Sequence, residues 1–166
     1  MGQVITLANA QQVREQMRKE AKVVVFTNGI FDLLHVGHVR YLEAARSLGD
    51  VLMVGVNSDG SAAGLKGPGR PIVPQEERAE VLAALSSVDW VVVFDQPTAA
   101  EVVLALRPEV YAKGGDYGPS AEGRSLPEAP AVQSYGGRVV LLPYTLERST
   151  TRLIQRINDL PERDKV

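Results

Sequence analysis

The stretch Phe26-Thr27-Asn28-Gly29-Ile30-Phe31-Asp32-Leu33-Leu34-His35-Val36-Gly37-His38 decides how the rest of the 166-residue chain is read. Before it stands Val23-Val24-Val25, successive β-branched residues without polar alternation, which predict a strand buried on both faces. After it, Val39, Leu42, Ala45 and Leu48 recur at helical spacing. The quoted residues therefore predict a strand-to-helix turn. In an open parallel sheet such a turn lies at the carboxyl end of a strand, where ligands bind, and the following helix offers unpaired N–H groups to an anion. His35 and His38 are the chain's two histidines. At the start of a helix both can project to one side, and Gly37 between them leaves room for a substrate to approach the backbone.

Outward from this turn the alternation continues. Val51-Leu52-Met53-Val54-Gly55-Val56, Trp90-Val91-Val92-Val93-Phe94, the short Val110-Tyr111-Ala112 and Arg138-Val139-Val140-Leu141-Leu142 predict four more strands. A helix is expected over 7–19, with Leu7, Val13 and Met17 as its apolar stripe. Gly49 is the expected C-cap of the helix after the histidines. Another helix should follow Pro74, with Glu76 and Glu77 in its first turn and Val81, Leu82 and Leu85 facing inward. Thr98 is the expected N-cap of a helix ending before Pro108, and Ser149-Thr150-Thr151 opens a last helix to about Ile157. Residues 57–60 and 65–74 predict loops, the second made basic by Lys66 and Arg70, and 118–133 predict loop with one short helix. Strands alternating with helices predict an α/β fold, a Rossmann-like three-layer sandwich around a five-stranded parallel sheet. The expected organisation is a single domain over 1–166, with the N-terminal helix at 7–19, a core over 22–158 and a frayed tail at 161–166.

Composition narrows the function classes. With 45% apolar and 23% charged residues the chain reads as an ordinary soluble protein, and no apolar run approaches the ~20 residues of a membrane span. The net charge of −2 argues against a nucleic-acid binder, so any anionic ligand must be held by a few local cations. Neither a secretory leader nor a cysteine is visible, which fits a cytoplasmic protein. In a parallel sheet the loops that follow the strands gather on one edge. Asn28, Asp32, His35, His38, Lys66, Arg70, Lys113, Asp116, Arg148, Ser149 and Thr150 would meet there, a set rich in phosphate donors.

The Asn-Gly-Ile-Phe-Asp-Leu-Leu-His-Val-Gly-His run resembles the signature of nucleotidyltransferases that carry His-x-Gly-His. These join a nucleoside triphosphate to a phosphorylated small molecule and release pyrophosphate, and the resemblance implies a sheet of the nucleotidyltransferase type. Such chemistry asks for little acid–base work, because a phosphate nucleophile with a second pKa of about 6 is largely ionised near neutral pH. The protein has to align two anions and spread the charge on the α-phosphate and the departing pyrophosphate. The resemblance implies that His35 and His38 contact the triphosphate and stabilise the transition state, with Lys66 on phosphate as a third catalytic group. It implies nucleotide contacts from Thr27, Asn28, Gly29, Phe31, Gly37, His38, Lys113, Gly115, Asp116, Arg148, Ser149 and Thr150. Asp32, Lys66 and Arg70 would face the acceptor phosphate, and Mg²⁺ would arrive with ATP, held mainly by the triphosphate rather than by a protein metal site.

Three further segments, 65–78, 88–93 and 113–117, look like those of the D-glycero-β-D-manno-heptose 1-phosphate adenylyltransferases, which make ADP-heptose. The implied partners are ATP and a sugar 1-phosphate, with a separate sugar kinase upstream and a homodimer as the assembly. Relatives commonly carry Glu-Gly before the Arg-Ser-Thr-Thr or its equivalent, where this chain has Leu146-Glu147. Other readings stay open on the residues alone: Ser149 or Thr150 as a plain helix cap, Lys66 and Arg70 as a solvated loop, and 113–116 as a tight turn. A zinc pair on His35 and His38 with Asp32 also remains. Among enzymes, a cytidylyltransferase for glycerol 3-phosphate or another alcohol phosphate, or an adenylyltransferase making FAD or NAD, would share the motif. A non-catalytic nucleotide-sensing domain is the remaining alternative.

Overall fold

Each of the five apolar runs named above forms a strand. The computed structural model describes residues 1–114, 126–143 and 150–161, except the side chains of 151 and 152. Its elements follow in the order β1 (Gln3–Val4), α1 (Leu7–Lys19), β2 (Val24–Gly29), α2 (Val36–Arg46), β3 (Val51–Asn57), α3 (Asp59–Lys66), α4 (Gln75–Ala83), β4 (Trp90–Phe94), α5 (Ala100–Leu106), β5 (Val110–Gly114), α6 (Ala129–Ser134), β6 (Arg138–Leu142) and α7 (Thr150–Asn158). All strands pair in parallel in the order β1-β4-β3-β2-β5-β6. From β2 the chain builds outward to β3 and β4, then crosses to the other side for β5 and β6. The direction of winding thus reverses at β2, whose carboxyl end opens into the crevice where such sheets bind ligands.

Side chains alternate across the sheet, so each strand feeds two cores. Val25, Leu52, Val54, Val91 and Ala112 pack with Leu42 and Ala45 of α2 and with Ala79 and Leu82 of α4. Val24, Phe26, Met53, Val92 and Tyr111 pack on the opposite face with Ala10 of α1, Val102 and Val103 of α5 and Val132 of α6. This is the three-layer arrangement expected from the sequence, and the helix expected over 7–19 is α1.

Several expectations are corrected. The sheet has six strands, because Gln3 and Val4 pair with Trp90 and Val91; two residues are too few for an alternation to show. Residues 59–66 form a helix that takes in the ends of the loops expected at 57–60 and 65–74, and it is entered through the Ser58 side chain, which accepts from the Ser61 amide. It ends at Gly67, whose φ of +89° a glycine adopts without strain. In α4, Val81 is exposed and Ala79 and Ala83 face the core with Leu82. Gly49 is not the C-cap of α2, which is Ser47; a Cβ at Gly49 would lie 2.7 Å from the Val23 carbonyl oxygen. Thr98 does not cap α5 either, since Ala99 holds that position and donates its N–H to Glu128.

Gly55, in the middle of β3, is required by packing. A Cβ there would lie 2.7 Å from the Phe26 ring and 3.2 Å from the Asn28 Cβ. Gly55→Ala is therefore expected to destabilise the protein by about 1–3 kcal/mol, the scale of core overpacking. Urea denaturation checks this, and an unchanged midpoint would show that Phe26 can yield.

Candidate active site

Both histidines lie at the first turn of α2, which begins at Val36, three residues earlier than the apolar spacing alone marks. His35 is the N-cap, and its Nδ1 accepts from the Gly37 amide at 3.1 Å. Three positions on, the His38 Nδ1 accepts from the His35 amide at 3.4 Å. This is a capping box made with imidazoles in place of the usual hydroxyl and carboxamide. The rings stack with centroids 4.0 Å apart, and Phe31 packs edge-on to His38 at 5.5 Å. Because Nδ1 of each ring is an acceptor, the proton of each neutral imidazole sits on Nε2. The turn thus produces two N–H donors of the same tautomer.

Phe31 reaches His38 by adopting φ +51°, a left-handed conformation unusual for a bulky residue and of the kind that gathers at ligand sites. Gly29 makes the space, since a Cβ there would stand 3.1 Å from the Phe31 ring. At the end of β2, Asn28 is oriented by its neighbours. Its Oδ1 accepts from the Tyr111 hydroxyl at 2.5 Å and from the Lys113 Nζ at 3.0 Å, and Lys113 also donates to the Asn28 carbonyl at 3.2 Å. With Oδ1 so engaged, the Asn28 amide nitrogen is the group it can offer a ligand. Thr27 is different: it is fully buried, and its hydroxyl pairs with the Tyr41 hydroxyl at 2.6 Å.

Asp32, also buried, serves the loop after α3. Its Oδ1 accepts from the amides of Ile72 and Val73 at 2.8 and 2.9 Å, and its Oδ2 pairs with the Arg70 Nε at 2.8 Å. The motif aspartate therefore fastens an arginine whose side chain borders the site. Behind the loop, Arg78 of α4 is 1% exposed. It donates to the carbonyls of Ile30, Val73 and Asn57 and to Asp59 Oδ1, tying the motif turn, the basic loop and the end of β3 together.

These groups surround one cavity of about 650 Å³. Asn28, Gly29, Phe31, Asp32, His38, Lys66, Arg70, Lys113 and Thr150 line it, so residues from β2, α2, α3, β5 and α7 converge as the topology requires. Thr150 also reaches the Leu33 carbonyl of the motif turn at 3.5 Å. His35 and Gly37 stand behind His38 rather than on the described cavity wall, and Thr27 is sealed beneath it. Gly115, Asp116, Arg148 and Ser149, four of the expected nucleotide contacts, lie outside the described residues, as does the tail from 162.

Residues 26–156, from the motif strand to the last helix, match the cytidylyltransferase-like family. The chain belongs to that family. It is 54% identical over 150 residues to the bifunctional protein HldE of Syntrophotalea carbinolica and 53% identical over 141 residues to that of Geobacter sulfurreducens. Those alignments cover 90% and 84% of this chain but 30% and 28% of the relatives, so the chain spans less than a third of the curated relatives it matches. Among solved structures, the lipopolysaccharide core biosynthesis protein of Thermoplasma volcanium is 26% identical with a TM-score of 0.59, over 75% of this chain and 97% of that one. Pantothenate synthetase of Thermus thermophilus shares the fold at 18% identity and a TM-score of 0.63, over 99% of this chain and 70% of that one.

In this cytidylyltransferase-like site, burial and, secondarily, the neighbouring His35 lower the pKa of His38 from 6.5 to about 4. The ring is therefore neutral at neutral pH. Unfolded chains protonate this ring below about 6.5 and the folded protein only near 4, so stability is expected to fall as pH drops through that window. Melting curves of wild type and His38→Gln between pH 7 and 4 check the sign. The variant should lose less on acidification, and parallel curves would assign the sensitivity to other groups.

Zinc does not suit this donor set. Both Nδ1 atoms are committed to backbone amides and Asp32 to Arg70, and no group of three or more His, Asp or Glu side chains suited to a metal occurs among the described residues. The sequence reading passed over Arg78 and Glu128. Glu128 is 3% exposed and lines the cavity, yet it sits in a Pro- and Gly-rich stretch without periodicity. Arg78 looks on the sequence like one more charge on a surface helix; only its apolar neighbours Ala79 and Leu82 hint that its side chain enters the protein.

Proposed function

We propose that the protein is a nucleotidyltransferase that transfers AMP from ATP to D-glycero-β-D-manno-heptose 1-phosphate, giving ADP-heptose and pyrophosphate. The observation that carries this reading is the His38 imidazole, held by the α2 cap with His35 stacked behind it, beside Asn28, Lys113, Lys66 and Arg70 in one cavity. A sugar phosphate oxygen attacks the α-phosphorus in line, a new P–O bond forms, and the bond to the β-phosphate oxygen breaks. Nothing in that step requires a protein base, because the nucleophile is already an anion.

His38, with His35 behind it, donates to the oxygens on which charge develops, and donors held in place before the reaction need no reorganisation. The Asn28 amide and Lys113 face the nucleotide, with Thr150 and its sequence neighbours Arg148 and Ser149 on the triphosphate. Lys66 and Arg70 meet the acceptor phosphate, and Asp32 acts by aligning Arg70 rather than by touching an anion that its own charge would repel. Magnesium enters as part of the nucleotide substrate, bound by the triphosphate. The heptose reading is supported by about 50% identity to bifunctional HldE proteins over most of this chain. A preceding kinase reaction that supplies the sugar phosphate, and a homodimeric assembly, belong to the same reading.

The test is pyrophosphate release with Mg²⁺, each of ATP, CTP, GTP and UTP, and acceptors headed by the heptose 1-phosphate. Turnover confined to ATP and the heptose phosphate is the expected result. Activity with CTP and glycerol 3-phosphate would keep the mechanism and overturn the substrate. Nucleotide binding without turnover on any acceptor would make the chain a sensing domain.

A further inference from the structure

Six ionisable side chains line the cavity among the described residues: Asp32, His38, Lys66, Arg70, Lys113 and Glu128. Three of them are accounted for. Asp32 and Arg70 neutralise one another at 2.8 Å, and His38 is uncharged at neutral pH. Lys66, at the end of α3, is exposed to water. Lys113 and Glu128 remain. The Lys113 ammonium is part-buried, and its two hydrogen bonds go to uncharged oxygens, the Asn28 carbonyl and Asn28 Oδ1. Carbonyl groups solvate a cation but do not cancel it, and an uncompensated buried charge tends to shed or gain a proton.

Glu128 precedes α6 as its N-cap and is almost completely buried. Its Oε1 accepts from the Ala99 amide at the start of α5, at 3.0 Å. The other oxygen, Oε2, is buried and has no hydrogen-bond partner among the described residues. Capping α5 explains one oxygen and would be done as well by a glutamine, which has no charge. A carboxylate with one oxygen unengaged, lining the same cavity as an ammonium held only by carbonyls, has a second task.

We propose that Glu128 is a positioning residue whose carboxylate supplies the counter-charge that keeps Lys113 an ammonium, tethered to Asn28 on the nucleotide-facing wall. It acts through space, between groups largely withdrawn from water, where a charge is felt more strongly than in bulk solvent. The electrostatics have the corresponding signs: burial pushes the Lys113 pKa down and Glu128 pushes it back up. The assignment of Lys113 to the nucleotide rests on the proposed function; the pairing of the two charges does not.

The experiment follows Lys113 directly. Protein labelled with ¹³C at lysine Cε is titrated from pH 6 to 11 by NMR, with the Lys113 signal identified by its loss in Lys113→Arg. Glu128→Gln keeps an Oε1 for the α5 cap and removes the charge, and it is expected to lower the Lys113 midpoint by about 1–2 pH units. ATP affinity in that variant should then decline with pH, by up to about tenfold per pH unit above the lowered midpoint. In Glu128→Gln with Lys113→Arg it should be flat, because a guanidinium stays protonated. The same Lys113 midpoint in wild type and Glu128→Gln would overturn the proposal. Should the glutamine variant fail to fold, Glu128→Asp provides the comparison, with a smaller shift of the same sign expected and none overturning the proposal. A wild type that does not bind ATP would overturn the nucleotide reading instead, while the Lys113 midpoint would still decide the role of Glu128.

Discussion

Replacing His38 by alanine is expected to lower kcat for pyrophosphate release about 10²–10³-fold, the scale for losing one oriented donor in a transition state. KM for ATP should change much less. The substitution removes an Nε2–H that faces the cavity, and a donor aimed at developing charge contributes little while the substrate is still in its ground state. It also removes the Nδ1 that accepts from the His35 amide, so part of the loss comes from a looser turn. His38→Asn separates the two, because a carboxamide oxygen can still accept from that amide while its nitrogen is too short to reach the Nε2 position. The asparagine variant should recover stability and not rate. If kcat in both variants stays within twofold of wild type, His38 has no part in the chemistry.

Arg78→Ala should cost at least about 3 kcal/mol of stability, because up to four acceptors lose their donor and each one left unsatisfied costs about 1 kcal/mol or more. Three carbonyls and the Asp59 carboxylate lose their donor at once, and three of those four acceptors sit on segments that enclose the cavity. Arg78→Lys is not expected to restore it. An ammonium on a flexible stem has three donors and no planar fork, and it cannot span acceptors on the motif turn, the basic loop and β3 together. Equilibrium unfolding in urea measures the loss. A change below about 1 kcal/mol would mean that the loops hold their positions without the arginine, and that its buried location serves only to fill space.

How far the sequence could be read depended on the range of the interaction that each feature expresses. Strands β2 to β5 were legible because burial on both faces leaves a continuous apolar run, and the edge strand β6 because it keeps such a run although it is only partly buried. The histidine pair was legible because its chemistry and its cap are encoded within four residues. Asp32 was legible as a site residue but not in its role, because its partners Arg70, Ile72 and Val73 stand about 40 positions away and nothing local announces them. Helix α3 was hidden by Gly60 and Gly64, which are poor helix formers; the Ser58 cap and packing of Ala62 outweigh them. Thr98 was misread because the group that caps α5 comes from Glu128, thirty positions further along. Short-range order is written in the sequence nearby, whereas the braces of the site are written in pairs that only the fold brings together.

The imidazole capping box also limits what the pair can do. A histidine serves as a proton-accepting base through a ring nitrogen with a vacant lone pair, and here the only such lone pair on each ring already receives a backbone N–H. To take a proton from a substrate, either ring would have to give up its hold on the first turn of α2. The site is thereby biased against hydroxyl nucleophiles, which must be deprotonated as they attack, and toward acceptors that bring their own negative charge. Discrimination between an alcohol and a phosphate would then begin at the end of one helix, before any contact with the rest of the acceptor is made.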